Sequence, residues 1–239
     1  MPAWYTHLVT AYEVEKRIEI NDKDTFFLGN MMPDAERYVV SDFSFEVPWK
    51  VSHFGEKVKY NGGLVDLYNI DKFVNEYKND LENPIVIGYL THLLTDEFWN
   101  RLVFKNINLY DEHGDFLGLK LNNNTIKKCD KEEGKVIKHR DFKKIQEYLK
   151  ANKKYCIPEY NDKMLYYARD IKEILYTKDD ILKILKYLKD NSSIQKIDYD
   201  YELFLENQIE LYFKNSIDYI TTYLQGVGIK IKATNDLQQ

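Results

Sequence analysis

The segment from Ile85 to Phe104 constrains the fold more than any other part of the sequence. It reads IVIGYLTHLLTDEFWNRLVF and follows the pair Asn83-Pro84. That pair is a good helix start, because proline at the first helical position loses no hydrogen bond. A helix that is apolar nearly all round belongs in the centre of a molecule. The sequence therefore predicts a mainly α-helical protein with this segment as its central helix.

The central helix carries two polar side chains, His92 and Asp96, four residues apart. At that spacing both side chains project from one face of a helix. An unpaired charge in a buried helix is costly, and imidazole nitrogen and carboxylate oxygen are ligands that zinc accepts. The pair therefore suggests a cation site, although a single buried histidine is more often a hydrogen-bonded core residue.

The rest of the chain is expected to form one domain, residues 1–239, that is helical apart from one excursion. A change in composition between Asn106 and Lys138 predicts a short β-hairpin around residues 106–125, with its turn at Glu112 to Asp115. The stretch from Trp49 to Gly63 is interpreted as a connector with turns. Further helices are predicted over Tyr5–Ile18, Leu67–Leu81, Asp141–Lys150, Pro158–Tyr176, Lys178–Lys189 and Tyr201–Tyr223.

Composition and charge argue against several classes of protein. A net charge of −5 offers no basic field for a long nucleic acid. Only Cys129 and Cys156 are present, without a CxxC pair, which argues against a disulfide framework and a cysteine metal knuckle. The start of the sequence lacks a secretory signal, and no stretch approaches about 20 apolar residues. We therefore expect a cytoplasmic protein without a membrane span.

Three further polar residues stand in unusual local sequence. His7 follows Thr6, a plausible cap, in the first turn of the first predicted helix, and Asp34 ends the phrase FFLGNMMPD. His53 begins the phrase HFG. Each has an ordinary alternative, since His7 is equally compatible with a surface or capping group and an aspartate after proline is commonly a turn former.

Four short sequence segments, taken together and in this order, indicate a protein family more specifically than any one of them does. They are Thr6-His7, FLGNMMPD ending in Asp34, His53-Phe54, and GYLTHLLTD from Gly88 to Asp96. In this combination the sequence resembles the zinc-dependent phospholipase C family, with the single-strand-specific zinc nucleases as more distant relatives. The resemblance covers roughly residues 4–100. It implies a helical bundle with a cluster of zinc ions in a cleft.

The resemblance also implies a ligand set and a reaction. Asp34, His53 and His92 would hold one ion, and Asp96 would bridge it to a neighbouring ion that His7 also holds. The implied activity is hydrolysis of small-molecule or lipid-headgroup phosphodiesters by water activated on two or more ions of zinc or another divalent metal. Asp34 would act as both ligand and proton acceptor.

The sequence departs from the family pattern at two points. The secreted phospholipases begin with a tryptophan whose free amino group helps to bind an ion, whereas Trp4 here follows three residues. A further family histidine is expected where Asn100 and Leu102 stand. His139 and Asp141, in the phrase KHRDF at a predicted helix start, are candidate replacement ligands and equally compatible with a solvated turn. Asp111, Glu112 and His113 form a second set, for which a solvated turn is the preferred interpretation.

Two other functions remain open at this point. The first is a phosphodiesterase for single-stranded nucleic acid or nucleotides, which would need aromatic side chains for base stacking and which the acidic balance disfavours. The second is a non-enzymatic module with a structural metal, motivated by the loss of a ligand around Asn100.

Overall fold

The computed structural model describes residues 3–35, 47–60, 63–174 and 176–233. Within these ranges the protein is mainly helical, as predicted, with two small antiparallel sheets. The α-helices are α1 (Trp4–Glu15), α2 (Lys23–Met31), α3 (Trp49–Ser52), α4 (Ile70–Glu76), α5 (Pro84–Asn106), α6 (Lys131–Asn152), α7 (Asp162–Ala168), α8 (Lys178–Asp190) and α9 (Ile209–Gly226). The strands are β1 (Gly55–Tyr60), β2 (Gly63–Tyr68), β3 (Asn108–Tyr110), β4 (Phe116–Lys120) and β5 (Ile126–Lys128), and short 3-10 turns span Met32–Asp34 and Glu206–Gln208.

Helix α5 is the centre of the molecule, as the sequence predicts. The Asn83 side chain accepts a hydrogen bond from the backbone N–H of Ile85 at 3.0 Å and so caps the helix start. From Pro84 to Glu97 every residue of α5 is buried. None of the helices in the described ranges is long and apolar enough to cross a membrane.

Helices α2 and α5 approach each other closely because each contributes a glycine at the crossing. A Cβ added to Gly88 would lie 2.1 Å from the carbonyl oxygen of Phe26, and one added to Gly29 would lie 2.2 Å from that of Ile85. No larger side chain fits at either position without moving backbone. The crossing therefore fixes the end of α2 against the first turns of α5, one turn before His92.

Replacing Gly88 by alanine is expected to destabilise the protein by about 3 kcal/mol, because the new methyl group meets backbone that cannot rotate away. The matched control is Gly226→Ala, where a Cβ would meet nothing within 4 Å and the change should be neutral or slightly stabilising. Urea unfolding of both variants measures the difference. Equal stability for the two would show that the helices are not in tight contact.

The hairpin expected around residues 106–125 is confirmed, and it carries a third strand. Strands β3 and β4 pair antiparallel from Asn108 opposite Leu119, and β5 adds to the other edge of β4. The connection between β3 and β4 includes the predicted turn from Glu112 to Asp115.

A second hairpin was not predicted. Strands β1 and β2 pair antiparallel from Gly55 opposite Tyr68 to Tyr60 opposite Gly63. The connector predicted over Trp49–Gly63 is therefore wrong for most of its length, and so is the first part of the helix predicted over Leu67–Leu81. Helix α4 begins only after Asn69, whose side chain accepts the N–H of Lys72 at 2.8 Å.

Several predicted helix bounds also need correction. Helix α6 starts ten residues before the predicted Asp141, because Asp130 caps it by accepting the N–H of Glu133. The helix predicted over Pro158–Tyr176 shrinks to α7, which the Asn161 side chain caps. In the helix predicted over Tyr201–Tyr223, the first residues are non-helical and α9 begins at Ile209. Helix α1 begins at Trp4, which places Thr6 inside the helix instead of at its cap.

Candidate metal centre

Five side chains from four segments converge beside the middle of α5. His7 comes from α1, Asp34 from the 3-10 turn after α2, and His53 follows α3, while His92 and Asp96 lie on α5. All five are at most 3% exposed. The structure thus brings together the five residues that the resemblance implies as ligands.

Asp96 lies at the centre of the cluster, near all three histidines. One carboxylate oxygen, Oδ1, lies 3.4 Å from His7 Nε2. The other, Oδ2, lies 3.8 Å from both His53 Nε2 and His92 Nε2. His53 Nε2 is in turn 3.3 Å from Asp34 Oδ1. The donor atoms fall into two groups of three with atoms within 4.8 Å of one another, and His92 belongs to both.

These separations suit ligands around a shared cation. Zinc binds imidazole nitrogen and carboxylate oxygen at about 2.0–2.1 Å, so two ligand atoms on one tetrahedral ion lie roughly 3.4 Å apart. The nitrogen-to-oxygen distances of 3.3–3.8 Å in the cluster are close to that value. The donor set is also one that zinc accepts.

The tautomer of His92 favours metal binding. Its Nδ1 lies 2.8 Å from the backbone carbonyl oxygen of Asn30, which only accepts, so Nδ1 carries the proton and donates it. Nε2 is then left with its lone pair directed at Asp96. Burial, followed by the neighbouring His7, lowers the pKa of His92 to about 3, which keeps the imidazole neutral at pH 7.

His53 is fixed by two neighbours outside the cluster. Its Nδ1 makes a 2.8 Å hydrogen bond with the hydroxyl of Ser52, and the indole of Trp49 stacks on its ring with centroids 5.8 Å apart. The backbone carbonyl of Ser52 accepts a hydrogen bond from the hydroxyl of Tyr89 on α5. Such outer contacts orient an imidazole toward a cation.

Both carboxyl groups of the cluster are ionised at neutral pH. Burial opposes ionisation, but the neighbouring imidazoles outweigh it. His53 holds the pKa of Asp34 well below its usual value, and His7 lowers the pKa of Asp96. The interior of the protein therefore holds two negative charges that a cation would compensate.

The cluster also concentrates buried polar atoms that lack a hydrogen bond. Among the residues that the structure describes, no partner with hydrogen-bond geometry is found for either ring nitrogen of His7, for Nε2 of His53 and His92, or for the carboxylate oxygens of Asp96. Buried polar atoms in proteins are nearly always satisfied. This arrangement is the one expected of atoms that serve as ligands of a cation, and the five residues fit such a group.

His139 and Asp141 are not part of either donor group. Asp141 accepts backbone N–H bonds from Glu202, Leu203 and Phe204 at 3.2, 2.8 and 3.3 Å. Its carboxylate thus holds the chain before α9 against α6, and the prediction that it is a metal ligand is wrong. His139 is exposed in the middle of α6, where it lines two cavities, instead of standing at a helix start.

Replacing Asp141 by alanine is expected to cost about 1–3 kcal/mol of stability, because three buried N–H groups lose their acceptor. Metal content should not change. Chemical denaturation and zinc analysis of the same preparation check both statements. Loss of bound metal from a folded Asp141→Ala variant would restore this residue as a ligand.

The second set of replacement candidates forms an exposed turn. Asp111 Oδ1 accepts the backbone N–H of His113 and of Asp115, both at 2.9 Å. Glu112 and His113 are largely in solvent, with side chains 87% and 77% exposed. The preferred interpretation of this set as a solvated turn is confirmed.

Asn100 has a partner of its own. Its amide donates a 2.7 Å hydrogen bond to the hydroxyl of Tyr68, whose ring lies 6.0 Å from that of His53. The side chain that stands where the family histidine is expected is therefore engaged in the wall beside the cluster. Asn30 and Ser52 are the supporting residues that sequence reasoning missed. Their only signal in the sequence is a polar side chain, within FLGNMMPD for Asn30 and directly before His53 for Ser52.

Comparison with known proteins adds no relative from which a function follows. No family model matches the chain, and no curated protein or solved structure matches it. The function is therefore inferred from the residues of the site, from their geometry and from the sequence resemblance over residues 4–100.

Proposed function

We propose that the protein is a metal-dependent phosphodiesterase of the phospholipase C type that binds zinc, or another divalent cation, in the cluster around Asp96. The observation that carries the proposal is the convergence of three imidazoles and two ionised carboxylates, at 3.3–3.8 Å, in the interior. The resemblance over residues 4–100 and the mainly helical architecture support the phospholipase C type of fold.

The two donor groups suggest places for two ions. Asp34, His53 and His92 form one group, which Asp96 approaches with Oδ2. His7 lies on the Oδ1 side of the same carboxylate. With two ions bound, Asp96 would be the bridging ligand that the resemblance implies, and His92 belongs to both donor groups.

The reaction would divide between the ions and the protein. Bound divalent cations lower the pKa of water and polarise a phosphoryl oxygen, which promotes in-line hydrolysis of a phosphodiester. The protein's part is to hold the donors in place through Asn30 and Ser52 and to keep His92 neutral. The lowered pKa makes Asp34 a good ligand and a weak proton acceptor, so its role as ligand is the stronger of the two proposed for it.

A structural metal is the second candidate function, because the cluster is buried. His7, His92 and Asp96 are all 0% exposed, as in a closed structural site, whereas a catalytic ion keeps a position open to water or substrate. The engagement of Asn100 with Tyr68, in place of a further ligand, points the same way.

Metal loading and turnover of the full chain distinguish the two functions. The chain is saturated with zinc, its metal content is measured, and it is incubated with bis(4-nitrophenyl) phosphate, a phosphocholine ester and a single-stranded oligonucleotide. Hydrolysis of either of the first two that disappears in the Asp96→Asn variant supports the phosphodiesterase. Full metal loading without turnover of any of the three contradicts it and favours the structural metal.

A further inference from the structure

A separate cleft of about 640 Å³ lies between α5, α6 and the β3–β5 sheet. Its volume falls within the usual size of a small-molecule site. The apolar part of the lining consists mainly of Trp49, Val103, Phe104, Phe116 and Phe142. Three partly or fully buried polar side chains, Asn100, Asn108 and Lys138, also line it.

The exposed rim of the cleft carries Asp115, Lys131, Glu132 and Lys135. Lys138 is the least exposed of the lysines that line the cleft. Its ammonium group donates to the Asn108 side-chain oxygen at 3.3 Å and lies 5.7 Å from the ring centroid of Phe116. No carboxylate of the described residues lies within ion-pair distance of it, whereas Lys135 on the rim is 3.8 Å from Glu132. Burial, with Lys131 nearby, lowers the pKa of Lys138 to about 8, so it is still mainly charged at pH 7.

Asn108 orients a second donor next to this ammonium group. Its amide nitrogen donates to the hydroxyl of Tyr110 at 3.1 Å, which leaves the hydroxyl hydrogen of Tyr110 for another acceptor. Burial raises the pKa of Tyr110, so the phenol stays protonated. Through one amide, the cleft thus positions an ammonium group and a hydroxyl close together, beside aromatic rings.

We propose that the cleft binds an organic phosphate, with its anionic oxygens on Lys138 and Tyr110 and its aromatic or alkyl group against Phe116 and Phe142. A phosphate accepts from both donors and supplies the negative charge that Lys138 lacks as a partner. The apolar substituent removes the aromatic lining from water. This site goes beyond the proposed phosphodiesterase activity, because none of its contacts involves the metal cluster.

The cleft and the metal cluster are neighbours that share one wall. Trp49 lines the cleft and stacks on His53, and Asn100 lines the cleft and holds Tyr68. A molecule bound at Lys138 would therefore lie beside the proposed metal site without needing it for affinity.

Calorimetric titration of the full chain with phenylphosphonate, which contains no hydrolysable ester bond, tests the site. We expect saturable binding that weakens by about tenfold or more in Lys138→Met, because a hydrogen bond to a charged group is lost. Tyr110→Phe should weaken it to a smaller extent and gives a second test if the first variant fails to fold. The matched control is Lys186→Met, an exposed lysine on α8, which should bind like the wild type.

Two further comparisons locate the ligand. Inorganic phosphate should bind about tenfold more weakly than phenylphosphonate, because it has no apolar group to bury. The Asp96→Asn variant should bind phenylphosphonate normally, even where it has lost metal. The proposal is overturned if Lys138→Met and Tyr110→Phe both bind like the wild type, if binding is absent, or if binding is lost in Asp96→Asn, which would place the anion at the cluster. None of these results depends on whether the chain hydrolyses phosphodiesters.

Discussion

Replacing Asp96 by asparagine is expected to reduce the affinity of the chain for zinc by more than about 100-fold, since changes to outer-shell groups alone cost 10–100-fold. The substitution keeps the shape of the side chain and removes its charge. Asp96 lies within 3.8 Å of nitrogens from all three histidines of the cluster, so the cluster loses the carboxylate that all three approach. Zinc content after dialysis against a metal buffer measures the effect.

The neighbouring Glu97→Gln substitution is the matched control. Glu97 is also a buried carboxylate on α5, but it is engaged by Arg101 and by the hydroxyl of Tyr219. Its replacement should lower stability and leave metal content unchanged. If Asp96→Asn retained wild-type zinc content while folded, the proposed role of Asp96 as the shared ligand would be wrong.

Removing bound metal is expected to lower the melting temperature by about 10 °C. A ligand present at 1,000 times its Kd stabilises the native state by about 4 kcal/mol, and for a chain of this size each kcal/mol shifts Tm by about 2–4 °C. The physical reason is that two buried carboxylates lose the cation that compensates them. Thermal unfolding with excess zinc and with a chelator gives the comparison.

The Asp96→Asn variant separates specific binding from a general effect of zinc in this experiment. It should melt at the same temperature with zinc and with chelator, because it no longer holds the ion. Identical melting curves for the wild-type protein in the two conditions would show that the cluster does not bind metal at the concentrations used.

The parts of the fold that could be predicted are those in which the local residue pattern alone requires the observed position. The all-round apolar pattern of α5 requires a central position, and the four-residue spacing of His92 and Asp96 requires a shared face. The sequence does not indicate the β1–β2 hairpin, because the stretch over Trp49–Gly63 is interpreted as a connector with turns. The helix predicted over Pro158–Tyr176 is too long, because apolar residues on both sides of α7 reach the core from non-helical segments.

In the candidate site, too, some features follow from the sequence and others do not. His7, Asp34 and His53 are far apart in sequence, and only the resemblance grouped them with α5 before the structure placed them there. Residue type and a predicted helix start indicate His139 and Asp141 as ligands, but neither feature reveals what a side chain contacts. The three backbone N–H groups that occupy Asp141 come from a segment about 60 residues further on, which no local pattern could indicate.

The proposed metal site lies between the side chains of His7, Asp34, His53, His92 and Asp96. A crystal structure of the zinc-soaked full chain, with anomalous diffraction recorded at the zinc absorption edge, tests it most directly. We expect at least one strong anomalous peak about 2 Å from His92 Nε2 and an oxygen of Asp96, consistent with zinc–ligand distances. An ordered cluster with no anomalous peak, its imidazoles and carboxylates bonded only to each other or to water, would contradict it.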